Sequence, residues 1–205
     1  MVSLTLDQIV ESPDLISYDI VVKHGDTLYL RPLKHDDVDL LASFLESLSP
    51  LTRHRWLLDD YGLKGAKSLC DAIALYDKLR LVVVESNIKG SPIVGLMEFS
   101  LDMHPNDIER FEKYGITLNN DDYMRFGPCL RDDVQGTGLF SATMPFVIDT
   151  ALKLGRSSMI LWGGVLEDNV PAIRAYEKIG FREIGRFTEP DTGLGCIDMI
   201  LDLNR

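Results

Sequence analysis

The chain is poor in the residues that build metal centres and disulfide frameworks. Its 205 residues include three cysteines and four histidines. Cys70, Cys129 and Cys196 lie far apart, with none of the short spacings of a zinc site. They fit free thiols in a reducing compartment. His24, His35, His54 and His104 form no cluster either, so no metal is expected. Long apolar runs are missing: none approaches the roughly 18 residues of a membrane span, so no membrane partner is expected. The opening MVSLTLDQIVESPD has neither the basic start nor the apolar centre of a secretory signal, which points to the cytoplasm. Basic residues are also scarce. Lys and Arg number 21 against 32 Asp and Glu, for a net charge of −11. That balance argues against nucleic acid as a partner.

What is present is ordinary for a soluble globular protein: 45% hydrophobic and 26% charged residues. A single domain over residues 1–205 is expected, with an N-terminal extension at 1–24 and a polar insertion at 104–121. The acidic excess is uneven. Residues 1–60 carry 11 acidic and 5 basic side chains, whereas residues 134–205 carry 9 and 7. Solubility accounts for this distribution. The same field would also attract a cationic substrate.

Thr27–Pro32 alternates like a first strand. Asp36 is placed to cap a helix with Leu41, Phe44, Leu45 and Leu48 on one face. A short helix or loop carries Arg53 to Trp56, and a second helix is expected over 66–79 with Leu69, Ile73, Leu75 and Tyr76 inward. Strands follow at 80–85 and 93–101, then a short helix within the insertion. A fourth strand is expected at 123–130, with a bulge at Gly127-Pro128 because proline lacks the N–H. The helix at 139–154 carries the stripe Phe140, Met144, Val147, Ala151 and Leu154, with Pro145 as a kink. A fifth strand at 158–165 leads to a helix at 169–179, capped by Asn169 and stopped by Gly180. A hairpin of 181–187 with 196–203 completes an α/β fold: one mixed sheet with helices on both faces.

Leu130-Arg-Asp-Asp-Val-Gln-Gly-Thr-Gly-Leu-Phe-Ser141 is a glycine loop between a strand and a helix. Such a junction presents unpaired N–H groups to an anion, with the helix dipole behind them. No Gly-Lys-Ser/Thr follows, so it is not a P-loop. It sits late in the chain and has serine at 141, which fits a nicotinamide fold poorly.

This order of elements, with Gln135-Gly-Thr-Gly138 after the fourth strand and Asn169…Ala172…Tyr176…Gly180-Phe181 after the fifth, resembles the GNAT superfamily of acetyl-CoA-dependent N-acetyltransferases. The resemblance spans about 28–203. It implies a mostly antiparallel sheet splayed between strands 4 and 5, with acetyl-CoA as cosubstrate along the splayed strand. The backbone of Leu130 and Arg131 would pair with the pantetheine arm. Amides of Gln135, Gly136, Thr137, Gly138 and Phe140, with Ser141 following, would hold the pyrophosphate. Asn169 would contact CoA. One departure stands out: Phe140 occupies a position where the family usually has Gly or Ala.

Acetyl transfer needs a neutral amine, a donor for the oxyanion and a proton for the leaving thiolate. The resemblance implies Tyr176 as general acid for the thiolate. Its phenol is a suitable donor. Packing on the apolar helix face is the other role open to it. Glu98 and Asp122 are the candidate bases, and water without a dedicated base is the third option. No cysteine is positioned for an acetyl-enzyme, so direct transfer in a ternary complex is expected.

A finer likeness lies in Leu30-Arg-Pro-Leu-Lys-His-Asp-Asp37 and Ser47-Leu-Ser-Pro-Leu-Thr-Arg-His-Arg-Trp56. These are similar to the start of the acetyltransferase domain of bacterial protein-lysine acetyltransferases. That likeness implies Arg53 and Trp56 near the acceptor entrance. The acceptor stays open between a protein lysine and a small cationic amine, and a homodimer is compatible with the chain. The alternative function is a CoA-binding sensory module without turnover, motivated by Phe140. Transfer of a longer acyl group is a third option.

Overall fold

Period-two alternation makes Thr27–Pro32 a strand, and its backbone pairs on both sides. The computed structural model describes residues 3–22, 25–73 and 75–204; His24 lies outside them. Helices are α1 (Leu6–Glu11), α2 (Val38–Ser47), α3 (Pro50–Arg55), α4 (Leu63–Asp71), α5 (Pro105–Lys113), α6 (Leu139–Lys153) and α7 (Val170–Ile179). Strands are β1 (Tyr18–Val21), β2 (Thr27–Pro32), β3 (Lys78–Val84), β4 (Ile93–Ser100), β5 (Tyr123–Leu130), β6 (Ser158–Leu161), β7 (Val165–Leu166), β8 (Arg182–Thr188) and β9 (Gly195–Asp202). They form a mostly antiparallel nine-stranded sheet in the order β1-β2-β3-β4-β5-β6-β9-β7, with β8 pairing β9 off that path. The expected mixed fold is the observed one. The described residues fall into two compact units. The larger comprises 4–98 and 128–147, the smaller 99–127 and 148–204 with residue 3.

In the larger unit, Val82 and Val84 of β3 pack with Leu41, Phe44 and Leu45 of α2 and Leu69 of α4. The other face carries Tyr18, cross-strand from Leu30, and Tyr18 stacks on Phe146 of α6 with ring centroids 4.9 Å apart. Helices therefore cover both faces here. In the smaller unit, Phe111 of α5 packs on Ile160 of β6 and Ile200 of β9. The polar insertion thus contributes one buried aromatic side chain to a core.

Several expectations shift. The first long helix begins after Asp37, not Asp36. Asp37 does not cap it, because its carboxylate accepts both Arg31 guanidinium bonds, at 2.6 and 2.8 Å, and the Lys34 N–H at 2.8 Å. The helix expected at 66–79 is α4, shorter and earlier. Asp60 starts it by accepting the N–H groups of Gly62 and Gly65. Leu75 and Tyr76, expected inward, are 69% and 61% exposed because the chain has left the helix before them. The strand expected at 158–165 is cut into β6 and β7 by Gly163 and Gly164, both with left-handed φ. In α6 the buried stripe opens with Leu139 rather than Phe140. Met144, Val147, Ala151 and Leu154 are buried as expected, while Phe140 is half-buried. Asn169 stands at the N-cap of α7, but its side chain makes no capping bond; Gly180 ends the helix at φ 112° as expected. At Gly127-Pro128, the position of the expected bulge, the ladder between β5 and β6 ends. β5 and β6 pair in parallel from Tyr123↔Ser158 to Phe126↔Leu161, and the register stops there.

Candidate functional site

The glycine loop lies within the larger unit. β5 ends at Leu130, and the Arg131 N–H still donates to Val94 O at 2.9 Å. A 3-10 turn follows at Asp132–Val134. Gly136 and Gly138 then adopt φ of 73° and 94°. A Cβ at either would meet nothing within 4 Å. Backbone conformation, not space, is the reason for glycine there. Helix α6 opens at Leu139, and its entry is marked by Ala142 N–H donating to Gly138 O at 3.0 Å. Among the described residues, the amides of Gly136, Thr137, Gly138, Leu139 and Ser141 have no backbone acceptor. A run of such amides at a helix N-terminus has the donors and the dipole that suit an anion.

Side chains brace this loop. Gln135 Nε2 donates to Leu130 O at 2.9 Å and to Thr52 Oγ1 at 3.2 Å, and Thr137 Oγ1 donates to Val134 O at 2.7 Å. Asp132 accepts from Ser49 N–H, Ser49 Oγ and Thr52 Oγ1, between 2.6 and 2.8 Å. Burial works to raise the Asp132 carboxyl, but these bonds prevail and hold it below the usual carboxylate range. Arg131 forks onto Asp133 and reaches Glu85 at 3.1 Å. Both carboxylates beside the loop are thereby occupied, which lowers their cost to a bound anion.

Solved structures share this architecture. The GNAT domain of a protein, PAT, from S. lividans aligns with a TM-score of 0.69 at 19% identity, covering 93% of this chain and 98% of its own. Ribosomal-protein-S5-alanine acetyltransferase from Vibrio fischeri gives 0.67 at 16% identity, with 91% and 97% covered. The chain has the GNAT fold. Aminoglycoside acetyltransferase AAC(6')-Ib, solved with coenzyme A, gives 0.64 at 16% identity, with 85% and 94% covered. No family model and no curated protein sequence matches the chain.

Within this GNAT fold, Leu130, Arg131, Gln135, Gly136, Thr137, Gly138, Phe140 and Ser141 come together in the larger unit, and Glu98 belongs to it too. Glu98 is bound by Arg80 Nε at 2.6 Å, with both side chains largely buried. Glu98 also lies beside Cys129, whose thiol is pushed up by burial first and by the Glu98 charge second. Cys70 in the same unit is raised to about 11, mainly by burial. Neither thiol is a nucleophile at neutral pH.

Tyr176, Asn169 and Asp122 belong to the smaller unit of the GNAT fold. Tyr176 is buried on α7, its ring 5.4 Å from that of Phe181. Gly180 and Phe181 both donate their N–H groups to Tyr176 O, which fixes the last turn. Asn169 is half-buried and its N–H donates to Leu166 O. Asp122 is exposed and accepts from Asn119 Nδ2 at 2.9 Å. It precedes β5, at the end remote from Gly127, where the parallel ladder has stopped. Arg53 donates to Leu45 O and Glu46 O and lies over the Tyr61 ring, and Trp56 packs on the same cluster.

Two features had no counterpart in the sequence reading. One is the Asp132–Ser49–Thr52 clamp. Ser49 before Pro50 marks a helix start in the sequence, but it does not name Asp132 as a partner. The other is a buried ion network in the smaller unit. Asp107 pairs with Arg110 and Arg125, and Asp198 pairs with Arg110 at 3.0 Å. Arg110 lies 3.9 Å from the Phe187 ring and Arg125 4.5 Å from that of Trp162.

Proposed function

We propose that the chain is an acetyltransferase that moves the acetyl group of acetyl-CoA to a primary amine. The loop at 131–141 carries this reading: left-handed glycines, open amides and a helix start suit a pyrophosphate. The complexes of AAC(6')-Ib and of Mycobacterium smegmatis RimJ with coenzyme A or its disulfide support the choice of ligand.

In the proposed reaction the amine nitrogen attacks the thioester carbonyl, and the tetrahedral intermediate expels the CoA thiolate. Tyr176 gives its phenolic proton to that sulfur. The amine's proton passes to Glu98 or to water. Glu98 is preferred over Asp122 because Asp122 stands at the far end of β5. Arg80 fixes the orientation of Glu98 as a positioning residue. Gln135 N–H is taken by Asp132 O and Arg131 N–H by Val94 O, so the amides from Gly136 to Ser141 hold the pyrophosphate, Leu130 pairs with the pantetheine arm, and Asn169 contacts CoA. The acceptor is a protein lysine or a small cationic amine in the cytoplasm, acetylated by direct transfer, and no metal takes part.

Tyr176→Phe tests this. The expected result is a loss of acetyl transfer of about 100-fold or more with CoA affinity retained, measured on a panel of amines and lysine peptides. If the unaltered protein binds CoA but releases none with any amine, the sensory-module reading replaces this one. If it does not bind CoA, both fall.

A further inference from the structure

The nine-stranded sheet ends at β1, which pairs with β2 alone. That pairing runs without a break from Tyr18↔Leu30 to Val21↔Thr27, and one step beyond it Val22 N–H donates to Asp26 O at 3.0 Å. An antiparallel ladder alternates between residues that bond the neighbouring strand and residues that turn away from it. Since Val22 bonds Asp26, Ile20 and Tyr18 are the residues of β1 that bond β2. Asp19 and Val21 turn their N–H and C=O groups outward, and nothing pairs with those groups among the described residues.

Exposed strand edges are ordinarily blunted by proline, charged side chains, a bulge or a covering element. β8, which pairs with β9 alone, is blunted in three ways. Its register breaks between Glu183 and Gly185, Arg182, Glu183 and Arg186 are exposed, and the Tyr114 hydroxyl donates to Arg186 O at 3.3 Å. β1 is different. Its sequence Tyr-Asp-Ile-Val has no proline or lysine, its register is regular, and Val21 is 67% exposed. Its one charge is Asp19.

The shortness of β1 selects the partner. Two outward residues can hold one short strand and no more. A second β1, antiparallel about a two-fold axis at Ile20, uses them completely. Asp19 then lies opposite Val21 of the other copy, and Val21 opposite its Asp19. Each of these two pairs exchanges two N–H···O bonds. The register sets each carboxylate against a valine, so no like charges stand directly opposite. It also takes Val21 partly out of water. A two-fold contact of this kind closes on itself and stops at two chains.

We propose that β1 is the contact of a symmetric dimer, with the sheets of two copies joined edge to edge. The inference goes beyond acetyl transfer and does not rest on it.

Sedimentation equilibrium of the full chain, up to about 1 mM, tests it. The salt is about 0.15 M, where repulsion between chains of net charge −11 is screened beyond about 8 Å. A monomer–dimer equilibrium is expected, and a weak one, because the contact is short. Val21→Pro should abolish it by removing an outward N–H that no ladder bond uses. Val21→Asp places carboxylates opposite each other twice and should weaken the dimer about fivefold or more. Adding Asp19→Lys to Val21→Asp should restore it, because opposite charges then face each other. If Val21→Pro lowers the unfolding temperature of the monomer, the charge pair decides. A chain still monomeric at about 1 mM, a dimer indifferent to the variants, a double variant no tighter than Val21→Asp, or assembly beyond two chains each overturns the proposal. Dimerisation of a protein that proves unable to bind CoA would leave it intact.

Discussion

Asp132 and Ser49 are joined twice, Ser49 N–H to Oδ2 at 2.8 Å and Ser49 Oγ to Oδ1 at 2.6 Å. The two residues are 83 positions apart in the chain. Their union ties the first turn of α3 to the turn that opens the glycine loop, and Thr52 adds a third bond to the same carboxylate. The shape of the loop is thereby set without a ligand.

Asp132→Asn should weaken CoA binding about tenfold, since bonds to a charged acceptor are worth about 1.5–3 kcal/mol before solvent takes its share. Calorimetric titration with CoA measures it. The effect is also linked to pH. The folded-state carboxyl lies below its ordinary value. Its stabilisation is therefore complete above the unfolded value of about 3.9 and is lost as pH falls through the lower folded one. Thermal unfolding of the unaltered chain and of Asp132→Asn should differ at pH 6 and converge as the solution is acidified below about pH 4. A difference that persists there would mean the clamp does not depend on charge.

Gly138→Ala should destabilise by about 1–2 kcal/mol even though the added methyl meets open space. The cost is conformational, at φ 94°. Gly138→Asn should cost less than alanine, because asparagine tolerates left-handed φ better. Urea unfolding ranks the two. The reverse order would show that side-chain contact, not backbone, governs the position.

Asp198→Ala should cost about 3–5 kcal/mol, because it leaves Arg110 buried beside Asp107 with half its charge uncompensated. The Tyr114 hydroxyl loses one of its two acceptors as well, keeping Arg186 O. Urea unfolding at neutral pH is the measurement. Burial pushes the Asp198 carboxyl up, against the pull of Arg110. Asp198→Asn, which keeps the shape without the charge, should therefore fall between alanine and the unaltered chain. A loss below about 1 kcal/mol for alanine would mark the pair as solvated rather than buried.

The strands were legible because their signals are local. β2, β3, β4, β5 and the β8–β9 hairpin all lie where alternation or apolar runs put them. Gly180 at the end of α7 was equally legible, since a glycine stop needs no distant partner. Errors cluster where a distant group overrides a local preference. Asp36 looks like a cap by type, but the helix starts one residue later, after Asp37, whose carboxylate Arg31 takes. Leu75 and Tyr76 extend an apolar pattern, but α4 was started three residues early by Asp60 and ended before them. Phe140 continues the period of α6 on paper, while Leu139 takes the buried place. For the candidate site, the glycines and the helix start could be read directly. The bracing by Ser49 and Thr52 could not, because no pattern in residues 47–56 names a partner 80 positions away.

The boundaries between the two units pass through β4 and β5 at residues 98/99 and 127/128, and through α6 at 147/148. Neither unit is a contiguous stretch of chain. During synthesis the larger unit is incomplete until residue 147 has emerged, although its first 98 residues were made much earlier. Contacts such as Ser49 with Asp132 must wait for that late segment, which is the kind of non-local closure that slows folding. A ribosome-stalled chain of about 100 residues would hold β1 to β4 with the Cys129 side of their core still open to solvent. The glycine loop thus does double duty: it is the proposed seat of the cofactor and part of the segment that closes the first core.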